Sequence, residues 1–93
     1  MHKRPSFRIE FISSSQGGYV LVRQLNQVPL ILGSQPMLGG ISITRSVQQP
    51  RALTPDGQAD LTAFVFRPAK KAELSKLAVG QVVELSDAAT ADD

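Results

Sequence analysis

Apolar and polar residues alternate in several short segments of this 93-residue chain, and no segment has a helical period lasting more than a turn or two. Residues 7–11 are Phe-Arg-Ile-Glu-Phe, and residues 41–44 are Ile-Ser-Ile-Thr. A period of two places successive side chains on opposite faces of a strand, so each segment predicts a half-buried β-strand. Glycine, proline and serine separate these segments and indicate turns. The pattern predicts a mostly β protein.

A chain of this length forms one domain, and its pattern predicts six strands in it. Six short strands with frequent turns are typical of a barrel or a sandwich. Residues 68–77, rich in Ala, Lys, Glu and Leu, are the only helical candidate, and they precede the last strand. We therefore expect a small barrel, closed or partly open, over residues 6–86. The predicted strands are residues 7–11, 19–24, 28–32, 41–44, 61–66 and 81–85.

The same alternation predicts which side chains face the interior. Phe7, Ile9 and Phe11 share one face of the first strand, and Phe64 and Phe66 share one face of the fifth. Two segments are expected to lie outside the barrel: a flexible basic arm over residues 1–5 and a disordered acidic tail over residues 87–93. Pro29 has no N–H, so we expect its strand either to lie at an exposed edge or to start there.

The C-terminal third carries the most informative pattern. Residues 61–68 are Leu-Thr-Ala-Phe-Val-Phe-Arg-Pro, and residues 73–85 are Glu-Leu-Ser-Lys-Leu-Ala-Val-Gly-Gln-Val-Val-Glu-Leu. We interpret Leu74 and Leu77 as a plug for the barrel, and Gly80 as the point where the chain enters its closing strand. This stretch resembles the second, β-barrel domain of translation GTPases of the elongation factor Tu type. Residues 19–22 and 30–33 are loosely similar to that domain as well.

The resemblance implies a barrel fold and no chemistry. It also extends to the end of OB-type barrels, including the periplasmic copper chaperones. No phosphate-binding loop of a GTPase is present, and Leu61, Thr62 and Ala63 stand where a copper chaperone would have Met, His and Trp ligands. Because a fold of this kind serves many functions, the resemblance supplies no site residue.

Composition argues against catalysis, a metal or another cofactor. The chain has no cysteine, which excludes disulfides, thiolate zinc sites and thiol nucleophiles and fits a reducing, cytoplasmic compartment. The single histidine, His2, lies in the predicted arm, and Glu10, Glu73 and Glu84 occupy positions expected to face solvent. The apolar run 28–32 is too short to cross a membrane. We therefore predict a protein that is not an enzyme and does not bind membranes.

Charge suggests an anionic ligand without requiring one. The formal net charge is +2, but residues 1–86 carry ten basic against five acidic side chains, a charge of +5. This basic body either offers a surface for an anionic partner or is ordinary solubilising charge. The candidate residues of an anion-binding surface are Arg23, Arg45, Arg51, Arg67, Lys70 and Lys71.

Two functional hypotheses follow. The first is a non-catalytic protein-interaction module, which receives a partner peptide or a second copy at an uncovered edge near Pro29. The alternative is an OB-like protein that binds single-stranded nucleic acid with a basic groove and stacked aromatic side chains. For the alternative, Tyr19 is the only aromatic side chain that the pattern predicts to face outward.

Overall fold

A computed structural model describes residues 4–49, 55–58 and 61–87. These residues form a closed six-stranded barrel in which every neighbouring pair of strands is antiparallel, which confirms the predicted fold class. Around the barrel the strands follow the order β1-β2-β5-β4-β3-β6. The strands are β1 (Ser6–Ser13), β2 (Tyr19–Gln24), β3 (Pro36–Leu38), β4 (Ile41–Gln48), β5 (Ala63–Pro68) and β6 (Val82–Asp87).

The interior is filled by alternate side chains of the strands, as the period of two predicts. Phe66 and Phe7 are fully buried and meet edge to face, with ring centroids 5.3 Å apart. The partly buried Phe64 packs against Phe7 at 6.0 Å. Around these rings lie the other buried apolar side chains of the core: Ile9, Val20, Val22, Leu38, Ile41, Ile43, Leu74, Leu77, Val83 and Leu85.

The predicted closing segment is confirmed. A 3₁₀ turn over Lys71–Lys76 precedes β6, and Leu74 and Leu77 are both buried in the core. Gly80 turns the chain with a φ of +90°, and its N–H donates to the carbonyl of Ile9 at 2.7 Å. This hydrogen bond brings the chain alongside β1, with which β6 then pairs.

The third predicted strand is wrong. Residues 28–32 are not in a strand, and β3 forms instead at Pro36–Leu38. The alternation over 28–32 nevertheless has a structural meaning, because Leu30 and Leu32 pack against the core while Ile31 is 78 % exposed. Pro29 has no N–H to give to a ladder. Since the barrel is closed and Pro29 lies outside its strands, the predicted edge strand at Pro29 is wrong too.

The residues that directly flank the predicted domain, Pro5 and Asp87, are hydrogen-bonded to the rest of the structure. Pro5, assigned to the arm, is buried, and its carbonyl accepts a hydrogen bond from the N–H of Leu85 at 3.0 Å. Asp87, assigned to the tail, is the last residue of β6, and its carboxylate accepts from the N–H of Gln35 at 3.1 Å. The rest of both segments, residues 1–3 and 88–93, lies outside the described residues.

Candidate ligand-binding surface

A β-bulge in β1 changes which side chains of that strand face solvent. Ile9 pairs with Val22 of β2, but the next pair is Phe11 with Leu21, so Glu10 and Phe11 together oppose one residue. A bulge of this kind shifts the alternation by one residue. Ile12 consequently packs against the core. Phe11, which the pattern predicts to face inward, is 49 % exposed, and that prediction is wrong.

Phe11 extends an apolar strip across the outside of three strands. It pairs in register with Leu21 of β2, and Leu21 pairs with Val65 of β5. We call Phe11, Leu21 and Val65 the apolar strip, and the outward side of β1, β2 and β5 the outer face. The strip lines a shallow groove of about 360 Å³. This volume is at the lower end of the range of about 300–1,000 Å³ that is common for ligand sites.

Tyr19 and Arg67 lie together at one end of the groove. The Arg67 guanidinium carbon lies 5.9 Å from the centre of the Tyr19 ring, within the range of a cation–π contact. Its Nη1 donates to the carbonyl of Gln16 at 3.0 Å. The Tyr19 and Phe11 rings are 6.2 Å apart. The guanidinium is therefore held in place beside the apolar strip and retains further N–H donors for a ligand.

Beyond the other side of the strip lies an ion-pair network centred on Glu10. Its carboxylate accepts hydrogen bonds from Arg23 at 3.1 Å and from Arg8 at 3.2 Å. Arg23 also donates to the Thr62 hydroxyl at 3.0 Å. The hydrogen bond from Arg23, together with the contact with Arg8, lowers the pKa of Glu10 below its ordinary value of 4.5. Glu10 thus stays ionised at neutral pH and fixes the two arginines on the outer face.

This network predicts a pH dependence of stability. Because the pKa of Glu10 is lower in the folded than in the unfolded chain, its contribution is present above pH 4.5 and is lost as the pH falls through the folded-state pKa. We expect Glu10→Gln to lower the free energy of unfolding by about 0.5–1 kcal/mol at pH 7, the upper range for a partly exposed pair, and by much less at pH 3. Urea unfolding at both pH values measures the difference.

A control for this prediction is Glu73→Gln, which removes an exposed pair with Lys76 (2.8 Å). We expect Glu73→Gln to change the pH dependence of stability less than Glu10→Gln does. The Glu73–Lys76 pair is screened by solvent, and both residues belong to the same 3₁₀ turn. An equal loss of stability at pH 3 and pH 7 in the Glu10→Gln variant would contradict the assigned role of the network.

The structure separates the predicted anion-binding residues. Arg23 and Arg67 lie on the outer face, on β2 and β5. Arg45 is exposed on β4 and lines a different cleft of about 390 Å³, beside β3. Lys70 and Lys71 are exposed at the start of the 3₁₀ turn, and Arg51 lies outside the described residues.

Sequence reasoning missed the apolar strip and did not connect Tyr19 with Arg67. A signal for the strip is present at residues 11–12, where Phe-Ile breaks the alternation of β1 and leaves either side chain as a candidate for the interior. The pairing of Tyr19 with Arg67 depends on the register of β2 with β5, which local sequence does not specify.

Within residues 4–49, 55–58 and 61–87, no three His, Cys, Asp or Glu side chains are grouped so that they could hold a metal ion. The described part of the chain also contains no helix with the length and apolar character needed to span a bilayer.

Comparison with protein-family models found no match, and comparisons with curated proteins and with solved structures found no significant similarity.

Proposed function

We propose that this barrel is a non-catalytic protein-interaction module that binds its partner through the outer face. The observation that carries the proposal is the apolar strip, in which a half-exposed Phe11 continues into Leu21 and Val65. Tyr19 and Arg67 stand next to the strip. Aromatic and arginine side chains are enriched at protein interfaces and carry much of their binding energy.

The closed barrel favours binding on a face. Adding a partner strand requires a free strand edge, and closure pairs each strand with two neighbours. The exposed Arg45 and an irregular register further protect the eight-residue strand β4 against strand addition, since its register with β5 shifts between Ile43 and Val47. The side chains of the outer face do not depend on a free edge.

Photo-crosslinking tests this proposal. A benzophenone amino acid at position 21 of the full chain should crosslink a reproducible partner protein in the source cell. The same amino acid at position 45, which is exposed on β4 and does not line the groove of the apolar strip, is the matched control. We expect at least a tenfold higher yield of the crosslinked protein from position 21. Equal yields from both positions, or no crosslinked protein from position 21, would contradict the proposal.

Single-stranded nucleic acid is the second candidate ligand. The observation that favours it is the outward position of Phe11 beside Tyr19, because bases stack on exposed aromatic rings near cations. Fluorescent oligo-dT should then bind at low salt, release at high salt, and bind more weakly to a Phe11→Ala variant. Absence of binding at low salt with excess protein would exclude this candidate.

We also propose that the protein has no enzymatic activity and acts in the cytoplasm. The carboxylate best placed on the outer face, Glu10, is held by two arginines and lacks the raised pKa of a general acid. The cysteine-free composition is compatible with a reducing compartment.

A further inference from the structure

We infer that the outer face recognises a short peptide segment of the partner in which large apolar side chains adjoin an Asp or Glu side chain. This inference rests on the proposed function and specifies the chemistry of its ligand. The apolar side chains would cover the strip of Phe11, Leu21 and Val65. The carboxylate would bind Arg67 at the end of the groove.

The charge of the residues that line the groove favours a ligand with one carboxylate over a polyanion. Arg67 is its single cationic side chain, and the remaining lining is apolar, aromatic or amide, from the strip and from Tyr19, Gln16 and Gln48. A nucleic acid strand needs several cations along its phosphates. Arg23, the next arginine on β2 and β5, is four register positions from Arg67, about 13 Å along the strands, and binds Glu10.

The floor of the groove also favours a peptide. Leu21 and Val65 are aliphatic and offer no ring on which a base could stack. The Tyr19 ring has the Arg67 guanidinium over it, which leaves less of the ring for a base. Aliphatic side chains are instead suited to cover apolar side chains of a partner.

Arg67 is preorganised to bind a carboxylate. The Tyr19 ring and the Gln16 carbonyl hold the guanidinium, so little side-chain entropy remains to be lost on binding. A guanidinium has five N–H donors, of which this geometry uses one. No carboxylate of the described residues lies within ion-pair distance of Arg67.

The test uses three acetylated and amidated eight-residue peptides with the full chain. The first carries Leu-Phe-Asp-Glu at its centre, the second Leu-Phe-Asn-Gln, and the third Gly-Gly-Asp-Glu. Amidation removes the terminal carboxylate, so only side-chain carboxylates are offered. Amide chemical shifts in ¹H–¹⁵N spectra report which residues bind and how tightly, and oligo-dT is titrated in parallel.

We expect the Leu-Phe-Asp-Glu peptide to shift amides of β1, β2 and β5 and to bind about tenfold more tightly than the Asn-Gln peptide, as for one charge-assisted hydrogen-bonded pair. The Arg67→Gln variant should lose this preference, whereas Arg45→Gln should retain it. Weaker binding of the Gly-Gly peptide would support the strip as the site of the apolar side chains.

Several results would overturn the inference. Equal affinity for the Asp-Glu and Asn-Gln peptides, or a preference that survives in Arg67→Gln, would exclude carboxylate recognition. If position 21 still crosslinks its partner, the proposed function would stand. Shifts of the outer face by oligo-dT with none by any peptide would overturn the inference, and the crosslinking result would then decide on the proposed function separately.

Discussion

Phe66→Ala should lower the free energy of unfolding by about 3–5 kcal/mol, the usual cost of removing a fully buried phenyl ring from a core. Phe66 is 0 % exposed and packs against Phe7 and Phe64, with ring centroids 5.3 and 6.5 Å away. In a barrel of this size no second core can take over the lost contacts. Urea unfolding followed by circular dichroism measures the effect.

Phe11→Ala is the matched control. It makes the same chemical change on the outside of the barrel, where Phe11 is 49 % exposed, and should cost no more than about 1 kcal/mol. Phe66→Leu, a milder change with an expected cost of about 1–2 kcal/mol, keeps the test informative if Phe66→Ala does not fold. Similar losses for Phe11→Ala and Phe66→Ala would contradict the bulge in β1.

Gly39→Ala should be the second most damaging of these substitutions, at about 2–4 kcal/mol, the sum of a positive-φ cost and a steric cost. Gly39 has a φ of +59° in the turn between β3 and β4. A Cβ atom there would lie 2.6 Å from Cγ1 of Val83 and 3.3 Å from Cδ2 of Leu77, both in the core. Thermal and urea unfolding measure the loss.

The neighbouring glycine separates the two causes. Gly40 also has a positive φ, +91°, but a Cβ atom there has no neighbour within 4 Å among the described residues. Gly40→Ala should therefore show the conformational cost alone, about 1–2 kcal/mol. If Gly40→Ala were as destabilising as Gly39→Ala, the close approach of Gly39 to Val83 would not be the cause of the larger loss.

The closing segment was predictable because its signals are local. Leu74 and Leu77 lie three residues apart in a helix-favouring segment, and Gly80 lies two residues before Val82, where the alternating residues of β6 begin. Such signals depend on residues close in sequence, and the structure places each of them as expected. The two leucines pack onto a core whose other members come from all six strands.

The position of Phe11 was not predictable from its own strand. Phe11 and Ile12 are adjacent apolar residues, so the strand offers either side chain for the interior, and only the register with β2 shows that Glu10 is the extra residue of a bulge. Register is decided by the partner strand and by the core it completes. The predicted strand over residues 28–32 is wrong for a related reason. Alternation can place Leu30 and Leu32 against the core without the hydrogen bonds of a strand.

The candidate site was predictable in its charges and in the outward position of Tyr19, but not in the contacts between its residues. Arg23 and Arg67 were both among the predicted anion-binding residues, and the fold brings them to one face. Their partners, Glu10 for Arg23 and Tyr19 for Arg67, come from other strands. These partners give the two arginines different roles, one in an ion-pair network and one at the end of an apolar groove.

Fluorescence of a Phe11→Trp variant tests the central claim, that the outer face is the binding surface, most directly. The chain contains no other tryptophan, so the emission reports on position 11 alone. In the free protein we predict red-shifted emission that acrylamide quenches. Addition of the partner crosslinked from position 21 should shift the emission to the blue and protect it, while an Arg45→Trp variant should not respond. Emission at position 11 that is already protected in the free protein, or that the bound partner leaves unchanged, would contradict the claim.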